Sequence, residues 1–158
     1  MLCTLADIDR YKNLKDGKNR LLGIDLGDKT VGLSLSDVTW TIASPYQTLK
    51  RLSDFQAITE LEQIIHTFKV VVMVIGYPLN MNGSAGPQSE KVLKFVEKML
   101  QRYDIPIFLW DERLSTMAVT RTLIEADVSR KKQKKAVDKM AASYILQGML
   151  DSIRSFKV

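Results

Sequence analysis

The sequence is poor in the residues that make crosslinks and soft metal sites. Its 158 residues include one cysteine, Cys3, and one histidine, His66. A lone cysteine cannot close an internal disulfide, and one residue of each type leaves no Cys/His set for zinc, so any metal must be held mainly by carboxylates. Long apolar runs are missing as well. The longest, from Val70 to Gly76, falls far short of the about 20 residues of a membrane span. The N-terminus lacks the basic, apolar, small-residue order of a signal peptide, which leads us to expect a cytoplasmic protein with no membrane partner. An excess of one charge sign is absent from most of the chain. Six of the 23 basic residues and one of the 18 acidic residues lie between positions 130 and 139, leaving 17 of each elsewhere.

What is present fits one domain. A hydrophobic share of 46% and a charged share of 26% are those of an ordinary globular protein, and the length allows one substantial core. Residues 1–20 are polar without a sustained period and are expected to form a flexible N-terminal extension, with residues 21–158 as the single domain. The basic concentration comprises Arg130, Lys131, Lys132, Lys134, Lys135 and Lys139 against Asp138. Such a local excess suits a segment that tracks phosphates, and its plain alternative is a solvated lysine-rich loop.

Leu22, Ile24 and Leu26 alternate with Gly23, Asp25 and Gly27, and after a polar turn Val31, Leu33 and Leu35 alternate with Gly32, Ser34 and Ser36. This is a hairpin with one apolar and one nearly bare face, and Asp25 stands on the bare one. Thr41 to Arg51 reads as a third strand, with Pro45 favouring an edge or a bulge. Ser53 and Asp54 offer a cap to a helix whose face would be Phe55, Ile58, Leu61, Ile65 and Phe68. His66 lies beside that face as a boundary residue. Val70 to Ile75 is an unbroken apolar run, as expected of a central parallel strand. It ends in a loop of turn formers from Gly76 to Pro87, at the strand end where α/β sheets bind ligands. A helix begins at Pro87, and Ile105 to Trp110 is a further strand that runs into Asp111 and Glu112. A helix carrying Met117, Thr120, Leu123 and Ile124 follows, and a last one spans Ala136 to Ser152. In that last helix Asp138 shares an apolar row with Ala141, Ala142, Ile145 and Met149. A carboxylate facing a core is costly unless something pairs with it, and the alanines leave room for close approach to the sheet.

Three acids therefore stand out for separate reasons: Asp25, Asp111 or Glu112, and Asp138. Together they would hold hard divalent ions and support phosphodiester hydrolysis. The stretches Gly23-Ile24-Asp25-Leu26-Gly27-Asp28-Lys29-Thr30-Val31-Gly32, Gly76-Tyr77-Pro78-Leu79-Asn80-Met81-Asn82-Gly83-Ser84, Trp110-Asp111-Glu112-Arg113-Leu114-Ser115-Thr116 and Asp138 to Ala142 resemble, in that order, the YqgF or RuvX family. The resemblance covers roughly residues 21–152. It implies an α/β, RNase H-like fold: a five-stranded mixed sheet with the second strand antiparallel and helices on both faces. It also implies Asp25, Glu112 and Asp138 as catalytic metal-binding acids for Mg2+ or Mn2+, in two ions, with Asp111 as the competing ligand. Lys29 and Arg113 would contact phosphate or organise the acids, and Asn80, Asn82 and Ser84 would line a nucleic-acid groove. Position 30, commonly basic in the family, is Thr30 here.

The resemblance implies either of two substrates: precursor 16S ribosomal RNA trimmed at its 5′ end, free or within a pre-ribosomal particle, or a four-way DNA junction. Ribosomal RNA is the favoured one, and the chain would act as a monomer or a homodimer. Two readings from other classes start from the same residues. Gly23 to Gly27 also resembles the phosphate hairpin of the actin-like ATPases, which close two domains over a nucleotide. The basic segment alone could serve a non-catalytic nucleic-acid-binding module.

Overall fold

The computed structural model describes residues 1–111 and 130–155, with the side chains of all but residues 5, 6, 130–139 and 155. Strands β1 (Leu2–Cys3), β2 (Arg20–Leu26), β3 (Thr30–Ser36), β4 (Ala43–Lys50), β5 (Val70–Tyr77) and β6 (Ile107–Asp111) form one sheet. Its order is β1-β6-β5-β2-β3-β4. β3 is antiparallel to β2 and β4, while β2, β5, β6 and β1 are mutually parallel neighbours. The expected five strands with an antiparallel second member are all there, widened by one short edge strand. The helices are α1 (Asp54–Phe68), α2 (Pro87–Arg102) and α3 (Arg130–Ser155).

The alternation seen in the first hairpin becomes two cores. Leu22, Ile24 and Leu26 pack with Ile58, Leu61 and Ile65 of α1 and Phe95, Val96 and Met99 of α2. On the opposite face Leu21, Val72, Val74 and Phe108 pack with Ile145, Leu146, Met149 and Leu150 of α3. Each such side chain, once buried, contributes about 1.5–3 kcal/mol of apolar transfer energy. β5 is apolar on both faces because it lies between these two cores.

Local signals behave as the sequence suggests at most boundaries. The Ser53 hydroxyl accepts the Gln56 N–H at 3.1 Å and caps α1. Pro45 lies on an edge strand, at the point where the β3–β4 register slips. Edge strands tolerate its missing donor, and the slip shows that both expected settings coincide.

Three expectations are corrected, and a fourth lies outside the described residues. The first twenty residues are not a loose extension but are packed on the sheet. β1 pairs with β6, Cys3 and Ile8 are buried, and Tyr11 stacks edge-on to Phe108. The segment gives no periodic signal because it is built from a two-residue strand and short 3-10 turns. Phe55 is 74% exposed rather than in the core, lying against the Arg102 guanidinium. The stripe of α1 is instead completed by Ala57 and Ile64. The last helix already includes the basic stretch from Arg130, rather than starting at Ala136 with a loop before it. Lys, Arg and Gln are good helix formers, and no breaker separates them from the apolar rows. The helix expected to carry Met117 to Ile124 falls outside the described residues.

Candidate active site

Asp25 occupies the last turn-proximal part of β2, paired across the sheet with Gly32 of β3. Side chains alternate along a strand, so Asp25 follows Leu21 and Gly23 onto the face covered by α3. That face is bare by necessity. A Cβ added at Gly23 would lie 2.3 Å from Ser34 Oγ, 2.7 Å from the Ala142 carbonyl oxygen and 2.7 Å from Leu146 Cβ. A Cβ at Gly32 would lie 3.7 Å from Asp25 Cβ and 3.9 Å from Ala142 Cβ. Glycine at the first position lets the helix descend onto the sheet, and glycine at the second keeps a side chain from standing between Asp25 and Ala142.

Helix α3 is fixed at that height by polar contacts. The Ser34 hydroxyl donates to the Ala142 carbonyl at 2.7 Å. Gln147 accepts the Ala43 N–H at 2.9 Å and donates to the Thr41 carbonyl at 3.0 Å. Trp110 lies against Gly148, where an added Cβ would come within 2.6 Å of the indole ring. Ala142 lies over Gly23 and Gly32, and Met149 and Ile153 line a cavity with Leu21. The helix therefore runs opposite to β2, and its earlier turns lie towards the Asp25 end. Asp138 stands one turn before Ala142 on the same row, about 5.4 Å along the axis. Lys134 and Arg130 continue that row by one and two further turns, with Lys131, Lys132 and Lys135 interleaved.

The expected site residues fall into three groups. Asp25, Lys29, Asn80, Asn82, Ser84 and Asp111 are described with their side chains. Asp138, Arg130, Lys131, Lys132, Lys134 and Lys135 are placed on α3 by their backbone alone. Glu112 and Arg113 lie outside the described residues. Among the described residues no three acids, histidines or cysteines gather as a metal cluster.

Asp111 is paired with Tyr77 at the end of β6. On the pleat it follows Ile107 and Leu109 towards the α1–α2 side, while Phe108 and Trp110 belong to the α3 side with Asp25. Lys29 is exposed at the β2–β3 turn. Asn80, Asn82 and Ser84 are exposed in the β5–α2 loop and bonded to one another. Asn80 donates to Ser84 Oγ at 3.0 Å, and Asn82 Oδ1 accepts from the Ser84 hydroxyl at 2.6 Å. Gly83, at φ +86°, supplies the left-handed residue that this tight loop needs. Ser89 anchors the loop by donating to the Pro78 carbonyl. Sequence reasoning passed over Ser34 as a positioning residue. Its signal was its place on the same bare row as Gly32 and Ser36.

A family model described as "RuvX: Holliday junction resolvase" matches residues 19–152. The chain belongs to the RuvX family. A relative from Clostridium kluyveri, named "Putative pre-16S rRNA nuclease", is 52% identical over 134 residues, which cover 85% of this chain and 98% of the relative. A Thermoanaerobacter pseudethanolicus protein of the same name is 48% identical over 134 residues, covering 84% and 96%. The solved structure "Thermus thermophilus RuvC structure" has a TM-score of 0.51 at 10% identity, covering 86% of this chain and 95% of that one. That likeness is one of fold, and the fold is RNase H-like. The docked β1 segment precedes the residues matched to RuvX, whereas Asp25, the β5–α2 loop and α3 through Ser152 lie within them.

Proposed function

We propose that this RuvX-family chain is a metal-dependent endonuclease that trims the 5′ end of precursor 16S ribosomal RNA. The observation that carries the site is the approach of α3 to β2, with Asp25 on a row cleared by Gly23 and Gly32 and Asp138 one turn beyond Ala142. Asp25, Glu112 and Asp138 are the catalytic acids of this reading. The pleat at Asp111 supports Glu112 as the second acid, since Asp111 follows Ile107 and Leu109 to the other side.

The donor set fits hard divalent ions. A side chain at position 32 would lie against Asp25 and Ala142, and the chain's lone histidine is exposed on α1. Its lone thiol, Cys3, is buried beside Tyr11. Mg2+ or Mn2+ held by Asp25, Glu112 and Asp138 would supply water activation and leaving-oxygen stabilisation. The chain's own residues bind and orient the polyanion. Lys29 and Arg113 meet phosphates near the acids, the loop with Asn80, Asn82 and Ser84 borders the groove, and Arg130 to Lys135 carry the strand along α3.

The deciding experiment offers purified protein a 5′-extended 16S precursor and a four-way DNA junction side by side. We expect cleavage of the RNA precursor, lost in Asp25→Asn and Asp138→Asn with binding retained or tightened. Equal rates for wild type and Asp25→Asn would sink the reading. The family description favours one second reading, a junction resolvase. Symmetric cutting of a four-way junction requires two sites related by a twofold, so a homodimer that cuts the junction and spares the RNA would establish it.

A further inference from the structure

Arg51 directly follows β4 and reaches back to the turn after Asp25. Its backbone N–H donates to the Lys29 carbonyl at 2.8 Å, and its guanidinium donates to the Gly27 carbonyl at 2.8 Å. The same guanidinium donates to Asp54 Oδ1 at 3.0 Å and lies 5.7 Å from the centroid of the Phe95 ring. The other Asp54 oxygen takes Lys98 at 2.8 Å. One side chain thus ties the β2–β3 turn to the first turn of α1 and to α2.

The chemistry calls for arginine. A planar fork reaches a carbonyl and a carboxylate together while its face rests on an aromatic ring, which a lysine ammonium cannot do. Arg51 and Asp54 are shielded, at 15% and 19% side-chain exposure, unlike the open Lys91–Asp28 pair at 53% and 68%. Burial pushes the Asp54 carboxyl up, but its bonds to Lys98 and Arg51 outweigh that and hold it below the usual carboxylate range.

The turn itself is closed by the Gly27 N–H to the Thr30 carbonyl at 2.8 Å. It carries two charges. Asp28 is engaged by Lys91 at 3.1 Å, whereas Lys29 is exposed and makes no ion pair among the described residues. Both carbonyls held by Arg51, those of Gly27 and Lys29, lie within four residues of Asp25.

We propose that Arg51 is a positioning residue that clamps the Gly27–Thr30 turn so that Lys29 meets a nucleic-acid phosphate beside Asp25. The inference rests on the nuclease reading for the identity of the polyanion, and its test is made on binding so that the two can fail separately. Binding of a 5′-extended 16S RNA fragment and of a four-way junction is measured over a range of salt without divalent metal. Lys29→Ala and Arg51→Gln should each weaken binding about tenfold and lower the salt slope by about 1. The double variant should bind within about twofold of Lys29→Ala alone, because a clamp has nothing to position once its lysine is gone. Asp54→Asn, which loosens the clamp but leaves the Gly27 bond, should cost about threefold with Lys29 present and nothing in its absence. It serves if Arg51→Gln fails to fold. Additive losses for both clamp variants would mean a merely structural role and would overturn the inference. Missing cleavage with an intact binding cycle would overturn the nuclease reading alone, and missing nucleic-acid binding would overturn both.

Discussion

At the scale of single residues the site depends on what is left out. Gly23 and Gly32 clear one row of the sheet, and Ser34 uses that clearance to hold α3 by its backbone. Gly23→Ala should therefore cost about 1–3 kcal/mol or more, because its Cβ would meet the Ala142 backbone, which cannot swing aside. Chemical unfolding checks this, and Gly17→Ala is no control, since its φ of +81° is strained for alanine. Asp37 offers a second, independent test. Burial raises its carboxyl, but bonds from the Ile42 N–H, the Thr39 hydroxyl and the Thr41 N–H prevail and lower it to about 2. A folded-state value below the unfolded one means that the charged loop stabilises the fold above pH about 4 and loses that advantage as pH falls towards 2. Asp37→Ala should lower Tm at pH 6, and the gap to wild type should narrow on acidification. Thermal melts at pH 6 and pH 2.5 would show it.

At the scale of elements, periodic segments were legible and aperiodic ones were not. Asp25 stands out as a candidate because one acid breaks a strict alternation, and Asp138 because one acid interrupts a helical row. The β1 segment was invisible because a two-residue strand and 3-10 turns have no period to detect. Its buried Ile8 now makes a prediction: Ile8→Ala should cost about 2–5 kcal/mol, whereas a loose extension would lose almost nothing. Phe55 misled because its spacing to Ile58 is helical, yet it sits in the first turn of α1, exposed and against Arg102. The start of α3 was hidden because Arg130 to Lys135 are polar all round, so no apolar row marks the helix there. Lys131, Lys132, Lys134 and Lys135 changed together to Ala should weaken binding to many sequences and flatten its salt dependence by about 4 in slope if each meets a phosphate. Filter binding at several salt concentrations measures that.

At the scale of the whole molecule, fold and chemistry must be kept apart, since one architecture serves many activities. The order of elements was readable from the residues, a hairpin, a third strand, then strands alternating with helices, whereas the mixed sheet with its antiparallel second strand was what the family resemblance implied. Family membership narrows the chemistry beyond what the sheet can, and it weighs against the actin-like reading of the first hairpin. The proposed metal requirement belongs at this level, because it would join acids from a strand, a strand end and a helix. Chelation should abolish cleavage, and added Mg2+ or Mn2+ should restore it while Ca2+ supports binding only. Cleavage that persists in chelator would remove the carboxylate mechanism.

The buried thiol of Cys3 has a practical consequence. It is the chain's sole cysteine, 5% exposed, with its sulfur 3.5 Å from the Tyr11 hydroxyl, on the strand that borders β6. A thiol reagent can therefore report only when that strand peels away, without interference from other sites. The rate of labelling then times the opening of the amino-terminal segment, and its change with added nucleic acid would reveal whether substrate grips the far edge of the sheet.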